Sequence, residues 1–280
     1  MSISHTLGAT ALTAAGLVLA TVAAPPAHSA PATRSAPTES AERAARPHVV
    51  TAAVSRDAVV QGHRVVIRGA VRAGERGDRV QVQIRYLGGR WQRSDLAGRL
   101  DRSGRFRITD KITSSRSRAY RIVKPAGNGR AAGRSRPVRV AVYSWRNLGS
   151  FERVSDQHTY DHADVKMNGV AYPGSVVAAS GADRGGIAYN LERRCRQLRT
   201  RVGIADTSAQ TATGTAWLRF DGIERFTGSY TLTRSSPITL PLTEVFRLSF
   251  DWTSANPAGT PEDQSGAHVA LGSPRLLCRD

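Results

Sequence analysis

From about residue 47 onward, apolar and polar side chains alternate with a period of two in short runs, and no stretch sustains a helical period. A backbone that sends successive side chains to opposite faces buries such a pattern only as a sheet with one face on a core and one in water. The alternation predicts an all-β chain. In 79–86, Val80, Val82, Ile84 and Tyr86 fall on one face and Arg79, Gln81, Gln83 and Arg85 on the other. Val65, Ile67 and Val71 oppose Arg64, Arg68 and Arg72; Phe106 and Ile108 oppose Arg105 and Arg107; Val138, Val140 and Val142 oppose Arg139. The turn-forming stretches 87–90 and 101–104 join neighbouring strands into a meander. Six or seven strands in 47–142 predict a first β-sandwich. Further strands at 185–192, 197–204, 214–220, 229–234, 236–242, 245–252 and 268–277 predict a second, of jelly-roll type, over 143–280.

Ahead of these, residues 6–24 form an uncharged run of small and apolar residues, followed by Pro25-Pro26 and the small-x-small step Ala27-His28-Ser29. That order predicts a signal peptide over 1–29, and a Pro-, Ser- and Ala-rich spacer over 30–46. No later stretch is apolar enough to span a bilayer as a helix. The chain contains two cysteines. With an export signal, the even count predicts a Cys195–Cys278 disulfide; two buried thiols are the alternative. The expected location is extracellular or on the cell wall.

The formal net charge is +18. It is concentrated in 47–142, which holds 22 basic and 6 acidic residues, whereas 143–280 holds 15 and 14. A sandwich so charged is drawn to polyanions through its long-range field and counterion release. Arg64, Arg68, Arg72, Arg85, Arg105, Arg107 and Arg139 are the candidates for that contact, and an anionic cell-wall polymer is the expected partner. The competing reading is a charged surface that serves solubility. Specific nucleic-acid binding is not expected, because the sequence shows no recognition helix, paired stacking aromatics or zinc spacing.

In 214–220, Ala216, Leu218 and Phe220 share a face, so Trp217 points the other way with Thr215 and Arg219. An outward indole is either a stacking platform for a sugar ring or a patch on which a loop packs. Asp183, Asp206, Asp221 and Asn256 could hydrogen-bond sugar hydroxyls, although turns also select Asp and Asn for backbone reasons. Trp91 reads as hairpin cover, and Trp252, in step with Phe246, Leu248 and Phe250, as core. The segment 156–164 (DQHTYDHAD) packs Asp and His closely, but its mixed donors match neither a calcium loop nor a zinc site. It reads as an acidic connector, and no metal or other cofactor is expected. No nucleophile elbow, zinc-protease helix or phosphate loop is present, so no enzyme is expected.

The strings GGRWQ, DRSGRFRI and RAYRIVK in the first region resemble bacterial immunoglobulin-like domains of secreted actinobacterial proteins. In the second, Asn168-Gly169 with Tyr172 and Gly174, Tyr189-Asn190-Leu191, Val202-Gly203-Ile204-x-Asp206, Asp221-Gly222 and Gly272-Ser273-Pro274-Arg275 resemble the NPCBM family (novel putative carbohydrate-binding module). That resemblance implies a galactose-binding-like jelly roll and a polysaccharide ligand. The expected function is a secreted, non-catalytic binder of carbohydrate or wall polymer. A structural or protein-interaction module of the envelope is the alternative, and the oligomeric state is left open.

Overall fold

The structure, a computed structural model, describes residues 45–255 and 266–280. The expected signal peptide, nearly all of the spacer, and Asn256 lie outside the described residues. Nineteen strands and one short 3-10 turn, Leu148–Ser150, account for the described regular structure. Among the described residues no helix is long and apolar enough to cross a membrane.

The first nine strands are β1 (Val49–Val54), β2 (Ala58–Val60), β3 (Arg64–Arg72), β4 (Arg79–Tyr86), β5 (Gln92–Arg99), β6 (Arg105–Lys111), β7 (Arg118–Lys124), β8 (Gly133–Arg134) and β9 (Val138–Asn147). A sheet ordered β1-β3-β6 faces a second one built on β5-β4-β7-β9. Between them lies a core of Val50, Val65, Ile67, Val80, Val82, Phe106, Ile108, Tyr120, Ile122, Val140 and Val142, among others. The alternation read from the sequence supplies these residues. The meander does not hold throughout. β4 and β5 form a hairpin, but β5 and β6 lie in different sheets, so the turn at 101–104 carries the chain from one layer to the other. A period of two tells which face a residue takes and is silent on which strand lies beside it.

The remaining strands are β10 (Glu152–Gln157), β11 (Thr159–Met167), β12 (Val170–Ala178), β13 (Arg184–Asn190), β14 (Cys195–Ile204), β15 (Thr213–Phe220), β16 (Ile223–Thr231), β17 (Ser235–Pro241), β18 (Arg247–Ala255) and β19 (Val269–Arg279). A sheet ordered β10-β13-β18-β15-β16 covers a second core, which includes Leu198, Leu218, Phe250, Trp252 and Leu276. The opposite layer consists of β11, β12, β19, β14 and β17. Cys195 and Cys278 are directly opposed on β14 and β19 and bonded, with Cα atoms 4.0 Å apart. Trp252 is buried, as expected, and its Nε1 donates to Thr159 Oγ1 at 2.9 Å. Phe246 departs from the expected core set. It precedes β18, is 41% exposed, and packs against the Arg193 guanidinium.

The acidic segment 156–164 is also different from its sequence reading. It is not a connector but the end of β10, which pairs with β13, and most of β11, which pairs with β12 in the other layer. Register shifts flank Ala163, and His158 and His162 take left-handed backbone angles of 48° and 59°. Bulges of this kind insert residues that break a period of two, which hides a strand from pattern reading. Its side chains are engaged locally. Tyr189 donates to Asp161 at 3.1 Å, and Arg153 pairs with both Asp156 and Asp161. Burial, with Asp161 alongside, holds the Tyr189 phenol well above its ordinary pKa.

The two sandwiches share β9. Its first residues pair with β7, its middle with β2 in parallel, and Tyr143–Asn147 with the last strand, β19. The expected boundary near residue 143 therefore falls inside one continuous strand. Six strands of the first sandwich and five of the second make a single eleven-stranded sheet.

Candidate binding faces

Two solvent-facing sheet surfaces collect most of the residues singled out by the sequence. The first is the outer face of β1-β3-β6. Hydrogen-bond register sets Arg64 opposite Lys111, Arg68 opposite Arg107, and Arg105 opposite Ala70, while Arg72 ends the row opposite Val49. The other outward positions are Thr51, Ala53, Val66 and Thr109, so this face has six cationic side chains and no acidic one. Same-face residues repeat every ~6.7 Å along a strand, so the charges span roughly 27 Å from Arg64 to Arg72. Like charges placed directly opposite destabilise a sheet pair, and none of the six forms an ion pair among the described residues. A groove of about 650 Å³ crosses the face between Arg68, Arg99, Arg105 and Arg107. Asp101 at its edge is occupied: its Oδ1 accepts from Ser103 Oγ and from the Ser103 and Arg105 amides, which hold its carboxyl below the usual range. Arg85 and Arg139 are not part of this surface. They lie on the other sheet, flanking Ala119 across β4, β7 and β9.

The second surface is the outer face of β10-β13-β18-β15-β16. β15 alternates as expected, with Ala216, Leu218 and Phe220 buried and Trp217 half-buried on the far side. Trp217 stands opposite Thr227 on β16 and Asp251 on β18. Asp251 is bonded to Arg219, whose guanidinium lies 6.0 Å from the indole. One strand further, Gly186 opposes Asp251, and a Cβ there would come within 2.6 Å of the carboxylate. The missing side chain makes room for that carboxylate. Along the strand, Thr215 and Ser229 share a hydrogen bond of 2.9 Å, and with Asp183, Arg184 and Thr253 they line a shallow groove of about 600 Å³. One aromatic ring among hydroxyls, a carboxylate and guanidinium groups can stack on a sugar ring and hydrogen-bond its substituents.

Of the loop candidates, Asp183 is exposed at the groove edge, within 3.5 Å of Arg184. Asp206 and Asp221 are committed to the backbone. The two Asp206 oxygens accept from Asn168 N at 2.8 Å and Gly169 N at 2.9 Å, closing the β11–β12 turn, whose residues have φ of 53° and 74°. The Asp221 carboxylate accepts from Arg247 N at 2.8 Å and Phe246 N at 3.2 Å. These residues carry much of the family resemblance and serve turns. Asp206→Ala should lower the melting temperature by about 5 °C, since charged hydrogen bonds contribute ~1–2 kcal/mol; thermal unfolding by circular dichroism checks this.

The sequence did not single out Arg219, Asp251, Arg184 or Ser229 as a group. Their outward positions follow from alternation, but their adjacency follows from the pairing of β15 with β16 and β18.

No protein-family model matches this chain, and no curated protein matches it. Among solved structures it is similar to CBM51 from Clostridium perfringens GH95 in complex with methyl-galactose, at 18% identity over 47% of this chain and 99% of that chain, with a TM-score of 0.39. A structure of carbohydrate-binding modules from the β-sandwich superfamily is 14% identical over 83% of this chain and 98% of that one, with a TM-score of 0.28. A CBM36 module in complex with calcium and xylotriose is 10% identical over 48% and 98%, with a TM-score of 0.27. These neighbours are carbohydrate-binding modules; a likeness this distant assigns no ligand to the present chain.

Proposed function

We propose that this chain is a secreted, non-catalytic binding protein that attaches to an anionic wall polymer through its basic first sandwich and holds a saccharide on the Trp217 face of its second. The observation that carries the reading is the β1-β3-β6 face. Six cations without a neutralising carboxylate, two pairs of them directly opposed, cost the fold stability, and a polyanion relieves that repulsion when it binds. The saccharide half is supported by Trp217 standing beside Asp251 and Arg219. The NPCBM resemblance points the same way.

Trp217→Ala should weaken binding to purified cell-wall polysaccharide about tenfold, the loss expected for an aromatic stacking contact of ~1–1.5 kcal/mol. Isothermal titration alongside a thermal melt reads both affinity and fold. Unchanged affinity in a folded variant overturns the platform, and a large loss of stability assigns the ring to packing. Absence of any glycan binding by the intact protein would favour the envelope interaction module instead.

A further inference from the structure

The eleven-stranded sheet keeps both cores on the same side. Val140 and Val142 of β9 enter the first core, and Ser144 and Arg146 continue that side opposite Cys278 and Leu276 of the second. Its other side therefore faces away from both cores, from β4 through β9 to the Arg275–Arg279 end of β19 and the facing part of β14. Strand positions on this surface from β4 through β7, β9 and β19 to β14 carry no acidic side chain. They carry arginines laid on aromatic rings. Arg85 and Arg121 lie 4.8 and 4.3 Å from the Trp91 ring centre, Arg196 is 4.2 Å from Tyr143, and Arg199 is 4.6 Å from Trp145. Gln83 accepts from Arg121 Nε at 2.6 Å, which fixes the plane of that guanidinium. Arg199 is directly opposite Arg275, and Arg279 opposite Tyr143. None of these arginines has an ion-pair partner among the described residues. Where the sandwiches meet, a groove of about 710 Å³ runs between Arg85, Arg139 and Arg279, with Asp57 and Asp280 at its rim.

We infer that this outer surface is a binding track for a linear polysaccharide bearing carboxylates, such as a polyuronate, and that the stacked arginines recognise the carboxylates by paired N–H contacts. The inference rests on the reading of the chain as a glycan binder, and adds the ligand's chemical class and a second face. A guanidinium held flat on an aromatic ring has already lost most of its rotational freedom, so its forked N–H edge meets a carboxylate at reduced entropic cost. A compact ammonium at the same position keeps the charge but loses both the stacking and the fork. Stacked guanidiniums also cover the rings, which leaves less aromatic face for nucleic-acid bases and favours the polyuronate.

The test uses the full chain, with polygalacturonate, inorganic polyphosphate and a single-stranded thymidine oligonucleotide as probes. The charge-conserving double variant R121K/R199K should bind polygalacturonate at least tenfold more weakly than the unaltered protein, with polyphosphate affinity changed less than twofold. The single variant R76K, in the exposed turn between β3 and β4 and on none of these sheet faces, should change neither. Equal loss on both probes means that the guanidiniums take phosphate as readily as carboxylate and overturns the ligand class, and no loss on either reduces the contact to simple charge attraction and overturns the inference. Tighter binding of the oligonucleotide than of polygalacturonate overturns it in favour of single-stranded nucleic acid. Thermal melts of the variants exclude unfolding as the cause. Polyphosphate binding through the β1-β3-β6 face and saccharide binding at Trp217 are read separately, so their failure is distinct from failure here.

Discussion

Affinity of the full chain for a linear polyanion should fall about 250-fold between 50 and 200 mM salt. Each phosphate neutralised contributes roughly −0.7 to −0.9 to the slope of log affinity against log salt. The acid-free face offers Arg64, Arg68, Arg72, Arg105 and Arg107, with Lys111, as its contacts. Engagement of about five of them gives a slope near −4. The double variant R68Q/R107Q removes one directly opposed pair and should bring the slope to about −2.5, while raising the melting temperature slightly because the like-charge repulsion is relieved. Titration of inorganic polyphosphate at four salt concentrations measures both. An affinity that is flat across this range would leave the charge as a matter of surface composition alone.

The second large effect concerns the disulfide. Replacing both cysteines, as in C195A/C278A, should cost roughly 4 kcal/mol, because the bond closes a loop of 83 residues and so restricts the unfolded chain. For a chain of this size that corresponds to a fall in melting temperature of about 10 °C. The position of the bond makes the effect informative. Cys278 pairs with Cys195 on one side and is opposite Ser144 of the shared strand on the other. Loosening β19 therefore reaches the strand through which the two sandwiches are joined. Chemical denaturation of the variant, followed at the tryptophans, gives the loss directly. A change of less than 1 kcal/mol would mean that β19 is held by its sheet pairing and buried leucines, with little contribution from the cross-link.

Much of this architecture was legible from the chain itself. Side-chain alternation is a local property, and it identified Val65, Ile67, Val80 and Val82 as interior and Arg64, Arg68, Arg105 and Arg107 as exterior without knowledge of any partner strand. The two cysteines were the only pair available, so their bond followed from the count and the expected export. Trp217 and Trp252 were assigned to opposite sides of their strands for the same local reason. Where the local period fails, so did the reading: register shifts between Arg153 and Ser155 and on both sides of Ala163 concealed β10 and β11. Asp206 and Asp221 had the composition of ligands, yet their carboxylates are committed to turn amides that only the folded loops bring within reach.

What the chain could not specify was adjacency, because which strands pair is settled by global packing and long-range register. Alternation pointed seven arginines outward, and tertiary structure divided them, five onto the β1-β3-β6 face and Arg85 and Arg139 onto the opposite sheet. It also placed Asp251 beside Trp217 and Tyr143 beside Arg196, contacts between residues 34 and 53 positions apart in sequence. Most of all, it ran β9 through both sandwiches. The sequence marks a change of charge near residue 143, but pairing between β9 and β19 depends on backbone hydrogen bonds, which are blind to charge and formed only when the last strand returned to the middle of the sheet.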